Sequence, residues 1–338
     1  MNSPTIARPQ ADTYPRPKPF RSRDLVSTRD LSPKEVEAVL DLTALIKGRP
    51  ADFRGALAGK QLVMFFEKPS LRTRLTFESG MASLGGVSFF VDQTGERLGA
   101  REKLSDVAHN LERWVDVIVL RTFAHATVEQ MAEYASIPVV NALSELEHPC
   151  QALADYFTLQ ERFGSLRGVK LAYVGDAANN VAHSLVLTCA ALGSSIRLAS
   201  PAGYEPDAHI LADAQDIAQE TGAIIESVPD AREAVAGADA IYTDTWVSMG
   251  HEAESEKRHK TFAPYQVNEK LMSYAAPHAL FMHCLPANRG KEVTDPVIDS
   301  SQSVVFDQAE NRLHVQKAIL LLLLGGAMGR FPLRSANA

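Results

Sequence analysis

The sequence predicts an α/β protein with two domains, each a parallel sheet flanked by helices, and the two joined by long helices. Short runs rich in β-branched and aromatic residues alternate with helix-length segments along the chain, which is typical of parallel sheets. The chain has 338 residues, and one domain usually takes roughly 100 to 200 residues. The alternation also starts anew at Gly168. These observations favour two domains over one.

The first half opens with a helix signal and continues with four strands. Ser32 can cap a helix, Pro33 suits its first position and Glu35 completes a capping box, so a helix to about Lys47 is predicted. Strands are predicted at residues 61–66, 87–91, 115–120 and 137–141. A helix over residues 149–163 is then expected to join the two halves.

The second half repeats the alternation. Strands are predicted at residues 169–174, 195–199, 223–228, 240–243, 279–283 and 303–306. A last helix from about residue 309 is expected to fold back on the first half. The predicted organisation is a disordered tail over 1–22, a first domain over 23–155 against which a helix at 309–330 packs, and a second domain over 156–308.

Composition and charge exclude several classes of protein. With 34 basic and 41 acidic residues the net charge is −7, so the chain has no general attraction for nucleic acid or an anionic membrane. The longest apolar run has seven residues, whereas a membrane helix needs roughly 20. Three widely spaced cysteines without a CxxC pair favour a reducing, cytoplasmic compartment. The basic, acid-poor start of the chain leaves an organellar presequence as the alternative.

The segment Ser70-Leu71-Arg72-Thr73-Arg74 lies between a predicted strand and a predicted helix. Free backbone N–H groups and the positive end of the helix dipole favour a phosphate there, and hydroxyl and guanidinium groups add donors. Arg72 and Arg74 point to different helix faces, so only one is expected to contact the anion, and we expect Arg72. The alternative is a capped helix with solvated arginines.

Other polar residues follow strands or open helices, where open α/β sheets place their ligands. Arg121 follows the strand at 115–120. His148 and Gln151 are three residues apart at the start of the joining helix, so both side chains can face one pocket. A histidine at that position can stabilise charge that develops on a carbonyl oxygen. Helix capping explains His148 equally well.

In the second half, Asp244 follows a strand and suits a cationic ligand group, while Asn180 could offer an amide. Cys284 could be a nucleophile, a lining residue or inert, and a nucleophile is least favoured because His283 should point to the opposite strand face. Arg312 can return a positive charge to the site. The chain lacks GxGxxG spacing and an HExxH or tight His/Cys cluster, so no nucleotide cofactor and no catalytic metal are predicted.

These segments together resemble the aspartate/ornithine carbamoyltransferase family over about residues 25–324. The resemblance lies in Ser70-Leu71-Arg72-Thr73-Arg74, in His148-Pro149-Cys150-Gln151 and in Arg121 within Leu120-Arg121-Thr122-Phe123. It implies transfer of a carbamoyl group from carbamoyl phosphate to an amine. By the same resemblance, the residues that bind carbamoyl phosphate are Ser70, Leu71, Arg72, Thr73, Arg121, His148, Pro149, Cys150 and Gln151.

The acceptor-side segments are similar to those of family members that act on ornithine, and consist of Asp244, Ser248-Met249-Gly250 and His283-Cys284-Leu285-Pro286. The resemblance implies that L-ornithine is bound by Asn180, Asp244, Ser248, Met249, Cys284 and Leu285, and that Arg312 contacts a substrate. It implies catalytic roles for Arg72, Arg121, His148 and Cys284.

The resemblance further implies a homotrimer, or a multiple of trimers, with active sites between subunits. Arg97 stands where many of the ornithine-specific members place a Gln that reaches carbamoyl phosphate in the neighbouring subunit. Arg97 is therefore an additional candidate for binding carbamoyl phosphate.

Three other functions stay open. A carbamoyltransferase for another amine, such as putrescine or an N-acylornithine, would use the same phosphate site, although the Ser-Met-Gly loop favours free ornithine. A non-catalytic homologue that only binds carbamoyl phosphate is disfavoured by the complete set of polar residues. A nucleotide-linked oxidoreductase is disfavoured by the missing glycine-rich turn.

Overall fold

The computed structural model describes residues 20, 22–95, 97–247 and 252–325, and contains two parallel sheets. The first sheet consists of β1 (Gln61–Phe66), β2 (Val87–Asp92), β3 (Val117–Arg121) and β4 (Val139–Leu143). The second consists of β5 (Lys170–Val174), β6 (Ser195–Ala199), β7 (Ile224–Val228), β8 (Ala240–Tyr242) and β9 (Leu280–Met282). The strand orders are β2-β1-β3-β4 and β7-β6-β5-β8-β9. All strand pairs are parallel.

Helices connect and cover these strands. The α-helices are α1 (Pro33–Gly48), α2 (Leu71–Ser83), α3 (Leu104–Leu111), α4 (His125–Tyr134), α5 (Pro149–Phe163), α6 (Asn180–Leu192), α7 (Ala208–Thr221), α8 (Ala231–Val235), α9 (Ser255–Phe262), α10 (Glu269–Met272), α11 (Asp295–Ile298) and α12 (Val305–Leu324). Short 3-10 helices lie at Thr28–Asp30, Pro50–Phe53, Glu252–Glu254 and Ala263–Tyr265. Among the described residues, no helix combines the length and apolar character needed to cross a membrane.

The predicted fold class is confirmed, and most element positions agree to within two residues. α1 begins where the sequence predicts, with Pro33 as its first residue and the Ser32 N–H donating to Glu35 Oε2 at 2.8 Å. β1 is buried at five consecutive positions, as expected for a central strand of a parallel sheet covered on both faces. The predicted tail lies outside the described residues, apart from its last few positions.

The predicted strand at residues 303–306 is wrong. Ser303 forms a single bridge to Phe281, with Phe281 N–H donating to Gln302 O at 2.9 Å and Val304 N–H donating to Phe281 O at 3.0 Å. α12 begins immediately afterwards at Val305, which is buried in the core beneath the second sheet. A short β-branched run is ambiguous by itself, and here the packing of Val305 at the start of a long helix decides its conformation.

The strand orders explain where ligands can bind. In the first sheet β2 is added on one side of β1, and β3 and β4 are added on the other side. In the second sheet β6 and β7 lie on one side of β5, and β8 and β9 lie on the other. The strand order therefore reverses between β1 and β3 and between β5 and β8. Loops after the two strands at such a point diverge and leave a crevice at the carboxyl ends of the strands. The segments that begin at Glu67, Thr122, Gly175 and Thr243 leave the carboxyl ends of these four strands.

Two long helices connect the sheets. α5 leads from the first sheet to the second, and α12 packs against α1, α2 and α5. Ile319 and its neighbours on α12 are fully buried in one hydrophobic core that also contains residues of both sheets. The position of α12 is therefore fixed by the first half of the chain, although α12 follows the second half in sequence.

This packing predicts that Ile319→Ala destabilises the protein by about 2 to 5 kcal/mol, because a buried isoleucine leaves a cavity when it is truncated. Phe306→Ala is the matched control, since Phe306 lies on the same helix with 72% of its surface exposed and should cost less than about 0.5 kcal/mol. Urea denaturation of both variants measures the difference. Equal effects would contradict the packing of α12.

Candidate active site

A cavity of about 390 Å³ lies where the carboxyl ends of the two sheets face each other. From the first half it is lined by Lys68, Pro69, Ser70, Leu71, Arg72, Arg121, Leu143, His148 and Gln151. From the second half it is lined by Asn180, Val181, Asp244, Thr245, Val247, Cys284, Leu285, Pro286, Asn288 and Arg312. The cavity therefore brings together eleven of the predicted site residues: Ser70, Leu71, Arg72, Arg121, His148, Gln151, Asn180, Asp244, Cys284, Leu285 and Arg312.

The N-terminus of α2 forms one end of the cavity. Ser70 is the N-cap, and its Oγ accepts a hydrogen bond from the Thr73 N–H at 3.3 Å. The first turn of α2 contains no acidic residue. Its remaining free N–H groups and the positive end of the helix dipole therefore favour a bound anion.

Arg72, Arg121 and Arg312 bring three guanidinium groups to this end of the cavity. In the described part of the chain, none of them forms an ion pair with a carboxylate; Arg121 donates to Lys68 O at 3.2 Å and Arg312 to Thr73 Oγ1 at 2.5 Å. Burial, and then the charges of Arg312 and Arg72, lowers the pKa of Arg121 to about 9. Burial also lowers the pKa of Arg312. An anion with two negative charges would relieve this repulsion.

The neighbouring Arg74 has a different environment. Its guanidinium lies 3.9 Å from the centroid of the Phe90 ring, and its Nε is 2.9 Å from Glu78 Oε1. Arg74 does not line the cavity, whereas Arg72 does. The expected divergence of the two side chains is therefore confirmed.

His148 and Gln151 lie beside the arginines at the start of α5. His148 occupies the N-cap position without a side-chain capping bond, and within the described part of the chain its buried Nδ1 has no hydrogen-bond partner. Burial, and then the charges of Arg312 and Arg121, lowers the pKa of His148 well below its usual value. The imidazole is therefore neutral at physiological pH, and it can donate one hydrogen bond and accept another from an uncharged polar group.

The second half of the chain brings a carboxylate and a thiol to the same cavity. Cys284 Sγ donates to Asp244 Oδ1 at 3.1 Å, and Asn179 Nδ2 lies 3.3 Å from Asp244 Oδ2. Burial, and then the charge of Asp244, raises the pKa of Cys284 well above its usual value. Cys284 is therefore a thiol at neutral pH, which disfavours a nucleophilic role and suits contact with a substrate amine.

The segment after β9 has an unusual backbone conformation. Leu285 adopts a φ of 59°, a left-handed conformation that is uncommon for residues other than glycine. Its N–H donates to His283 Nδ1 at 2.9 Å. His283 Nε2 lies 3.3 Å from Glu292 Oε1, but a ring nitrogen of His283 also lies within 4.8 Å of Cys284 Sγ, so the expected separation of the His283 and Cys284 side chains is not met. This local hydrogen bond supports a backbone conformation that places Cys284 and Leu285 at the cavity.

Four predicted residues do not line the cavity. Thr73 is buried and accepts the hydrogen bond from Arg312. Pro149 is a buried first residue of α5. Cys150 lies in the hydrophobic core, where burial raises the pKa of its thiol to about 12. Arg97 is exposed in a separate depression, with its guanidinium 5.3 Å from the Phe123 ring centroid. Ser248 and Met249 lie outside the described residues.

Sequence reasoning missed three polar residues of the cavity. Lys68 precedes the anion-binding segment, and its Nζ lies 4.5 Å from the centroid of the Phe123 ring. Asn288 Nδ2 donates to Thr245 Oγ1 at 2.9 Å, which connects the loops after β8 and β9. The three residues, Lys68, Thr245 and Asn288, each lie within four positions of a segment that the sequence analysis identified. Proximity to the ends of neighbouring parallel strands was a usable signal for them.

A buried arginine anchors α9 to the second sheet. Arg258 is buried, forms an ion pair with Asp176 and donates to Trp246 O at 2.5 Å. This ion pair fixes α9 near the end of β5.

Asp244, His283 and Cys284 form a group whose potential metal-ligand atoms lie within 4.8 Å of one another. The thiol already donates to Asp244, and His283 Nδ1 already accepts from the Leu285 N–H. Nearby guanidinium charges also disfavour a divalent cation. We therefore assign no ion to this group.

Comparisons with known proteins agree with the fold, which is that of a two-domain α/β protein with a crevice between its sheets. Residues 23–161 match the model for the carbamoyl-P binding domain of aspartate/ornithine carbamoyltransferases, and residues 167–323 match the model for the Asp/Orn binding domain of the same family. The chain belongs to the aspartate/ornithine carbamoyltransferase family.

Relatives with high identity span nearly the whole chain. An ornithine carbamoyltransferase of Pyrococcus abyssi is 49% identical over 92% of this chain and 99% of its own. One of Symbiobacterium thermophilum is 52% identical over 90% of this chain and 99% of its own. The solved structure of ornithine carbamoyltransferase from Pyrococcus furiosus is 48% identical, with a TM-score of 0.87 over 91% of this chain and 99% of that one.

The lowered pKa of His148 predicts a contribution to the pH dependence of stability. Below about pH 6.5 the unfolded chain protonates this histidine while the folded chain does not, so protons favour unfolding there. In His148→Gln, the slope of unfolding free energy against pH between 5 and 6 should be smaller by up to about 1.4 kcal/mol per pH unit. Guanidinium titrations at several pH values measure it. Parallel curves would show that His148 is protonated in the folded protein.

Proposed function

We propose that this protein is an ornithine carbamoyltransferase, which converts carbamoyl phosphate and L-ornithine to L-citrulline and phosphate. The observation that carries the proposal is the cluster of three guanidiniums, without carboxylate partners among the described residues, in the same cavity as Asp244 and Cys284. The guanidiniums suit a dianion, and Asp244 suits a cationic amino acid. The names of the highly identical relatives support the same activity.

In this proposal the phosphate of carbamoyl phosphate binds at the N-terminus of α2. Ser70, Leu71 and Arg72 supply main-chain and side-chain donors, and Arg121 and Arg312 add charge from β3 and α12. Thr73 contributes from behind the cavity, where its hydroxyl accepts from the Arg312 guanidinium. Positively charged donors held rigidly at this point also stabilise the leaving phosphate as the C–O bond breaks.

The carbamoyl group lies against the start of α5 in this arrangement. His148 is neutral and can donate to the carbonyl oxygen, on which negative charge develops during attack. Gln151 contacts the rest of the carbamoyl group. Pro149 and Cys150 support this helix start from the core rather than by direct contact.

L-Ornithine occupies the second half of the cavity. Its δ-amine is held near Cys284 and the Leu285 carbonyl, while Asn180, Asp244, Ser248 and Met249 orient the amino-acid end. The neutral amine donates its electron pair to the carbamoyl carbon, the bond to phosphate oxygen breaks, and the amine loses a proton. Much of the catalysis then comes from holding the two reactants in line.

The wider organisation is also proposed. The carbamoyl-phosphate domain comprises residues 23–155 with α12, which begins at Val305 and not near residue 309 as the sequence predicted, and the ornithine domain comprises the residues from 156 to the start of α12. A homotrimer, or a multiple of trimers, rests on the family resemblance; the apolar side chains on edge strand β2, where Val87 is 55% and Phe89 47% exposed, suit a contact between subunits. Arg97 is kept as a candidate contact to carbamoyl phosphate across subunits. A cytoplasmic location is supported by three free cysteines, two of them buried.

Arg72→Ala is expected to lower kcat/KM for carbamoyl phosphate by about 10²-fold or more, because it removes a charged donor to the phosphate. Arg74→Ala is the matched control: it removes the same charge two residues further along the same helix, outside the cavity. Steady-state kinetics at saturating ornithine measure both. Full activity in Arg72→Ala would refute the proposed phosphate site.

An acceptor panel tests the proposed substrate. L-Ornithine, putrescine, N-acetylornithine and L-aspartate are each incubated with carbamoyl phosphate, and the carbamoylated products are quantified. Turnover with ornithine alone is expected, because the Asp244 carboxylate and the Cys284 thiol line the same cavity and suit the amino groups of a diamino acid. Turnover with putrescine or N-acetylornithine would support the proposed phosphate site and show that the acceptor is an amine other than ornithine. Tight binding of carbamoyl phosphate without any turnover would indicate a binding homologue.

A further inference from the structure

A buried carboxylate behind the cavity is not explained by substrate binding. Asp155 lies on α5, one helical turn after Gln151, with none of its surface exposed. It does not line the cavity, and it has no ion-pair partner among the described residues. Burying a charge in this way is costly unless several donors compensate it.

Three donors from three elements meet on this carboxylate. Asp155 Oδ1 accepts from Gln151 Nε2 at 2.7 Å and from Gln308 Nε2 at 2.9 Å, and Oδ2 accepts from the Tyr242 hydroxyl at 3.0 Å. Burial raises the pKa of Asp155 to about 6, and these hydrogen bonds oppose that rise. Above neutral pH the group is therefore ionised and can only accept hydrogen bonds.

The Asp155 carboxylate determines the orientation of the Gln151 side-chain amide. Because ionised Asp155 cannot donate, Gln151 must present its NH₂ group to Asp155. Its Oε1 is then left without a hydrogen-bond partner among the described residues, although it is buried and Gln151 lines the cavity. An unpartnered buried acceptor beside a ligand cavity suits a ligand that brings an N–H donor.

We propose that Asp155 is a positioning residue that holds the Gln151 amide in the orientation in which its oxygen accepts from the NH₂ group of the carbamoyl donor. The proposal deepens the proposed function and rests on it. It implies that the site distinguishes a carbamoyl group from an acetyl group, which has the same shape but carries a methyl group in place of NH₂. Asp155 itself touches neither substrate.

The Asp155 carboxylate is also connected, through Gln308, to the segment that follows β9. The Gln308 amide donates to Asp155 and accepts from the His283 N–H at 2.9 Å. His283 directly precedes Cys284, so one buried group connects the start of α5 with the segment after β9. This connection explains why a costly buried charge stands where a hydrophobic residue would pack.

Two stable analogues test the proposal by calorimetry. Phosphonoacetamide carries the carbamoyl NH₂ group, and acetonylphosphonate carries a methyl group at the same place, with the same phosphonate. The wild-type protein is expected to bind phosphonoacetamide about 10- to 100-fold more tightly, because acetonylphosphonate leaves the Gln151 oxygen buried without a donor.

The ratio of the two dissociation constants is then measured in two Asp155 variants. Asp155→Leu frees the Gln151 amide to rotate, and the preference should fall to less than about threefold. Asp155→Asn should keep most of the preference, because its Oδ1 can still accept from Gln151 and Gln308 while its NH₂ donates to the Tyr242 hydroxyl. Retention by Asn and loss by Leu would show that the acceptor, rather than the charge, orients Gln151.

A purely structural role gives a different result. If Asp155→Leu weakens both analogues equally and keeps their ratio, the proposal is overturned. If Asp155→Leu does not fold, Asp155→Leu/Tyr242→Phe removes the orphaned hydroxyl and the ratio is measured there. Gln151→Leu provides an independent test. If the ratio of the two dissociation constants is unchanged in that variant, the proposal is also overturned.

Failure of the proposed function would be recognised separately. If the wild-type protein binds neither phosphonate, the carbamoyl-phosphate site itself is wrong, and the role of Asp155 falls with it. If the wild-type protein binds both phosphonates with equal affinity, the phosphate site stands and only the role of Asp155 is refuted.

Discussion

The structure of this protein depends on holding three positively charged guanidinium groups together in one cavity. Arg72, Arg121 and Arg312 come from α2, β3 and α12, and no carboxylate among the described residues neutralises them. Their mutual repulsion must be balanced by the packing of the elements that carry them. The burial of α12 against α1, α2 and α5 therefore has a second role, because it keeps the Arg312 guanidinium near the other two. Rigid placement of this kind allows charged donors to stabilise a transition state without first reorganising.

The two halves of the cavity are not independent. α5 begins at His148, carries Gln151 and Asp155 on its next turns, and ends in the second half of the chain. Its polar residues are bonded to Tyr242 of β8 and Gln308 of α12. A shift of the second sheet would thus be transmitted to the helix start that faces the proposed carbamoyl group. Sheet topology brings the residues to one place, and this buried polar cluster sets their orientation.

Much of the fold was predictable because parallel strands buried on both faces have continuous apolar runs, as in β1 and β3. The strand at 303–306 was wrongly predicted because a four-residue β-branched run carries no period, and only packing decides its conformation. Residues at strand ends, such as Arg121 and Asp244, were identified correctly as cavity residues. Asp155 and Arg258 were missed because nothing local distinguishes a buried charged residue on a helix from a solvated one. Their partners come from distant parts of the chain, which one sequence does not reveal.

The unneutralised guanidinium cluster also has a consequence for the end of a catalytic cycle. Carbamoyl transfer, as proposed, leaves inorganic phosphate among the same three arginines that attracted the substrate. The departing product is also an anion, so the electrostatic attraction that captures the substrate also retains the product. Turnover at such a site depends on how readily phosphate escapes. Accumulated phosphate would accordingly compete with fresh carbamoyl donor, and the protein would slow down as its own product builds up.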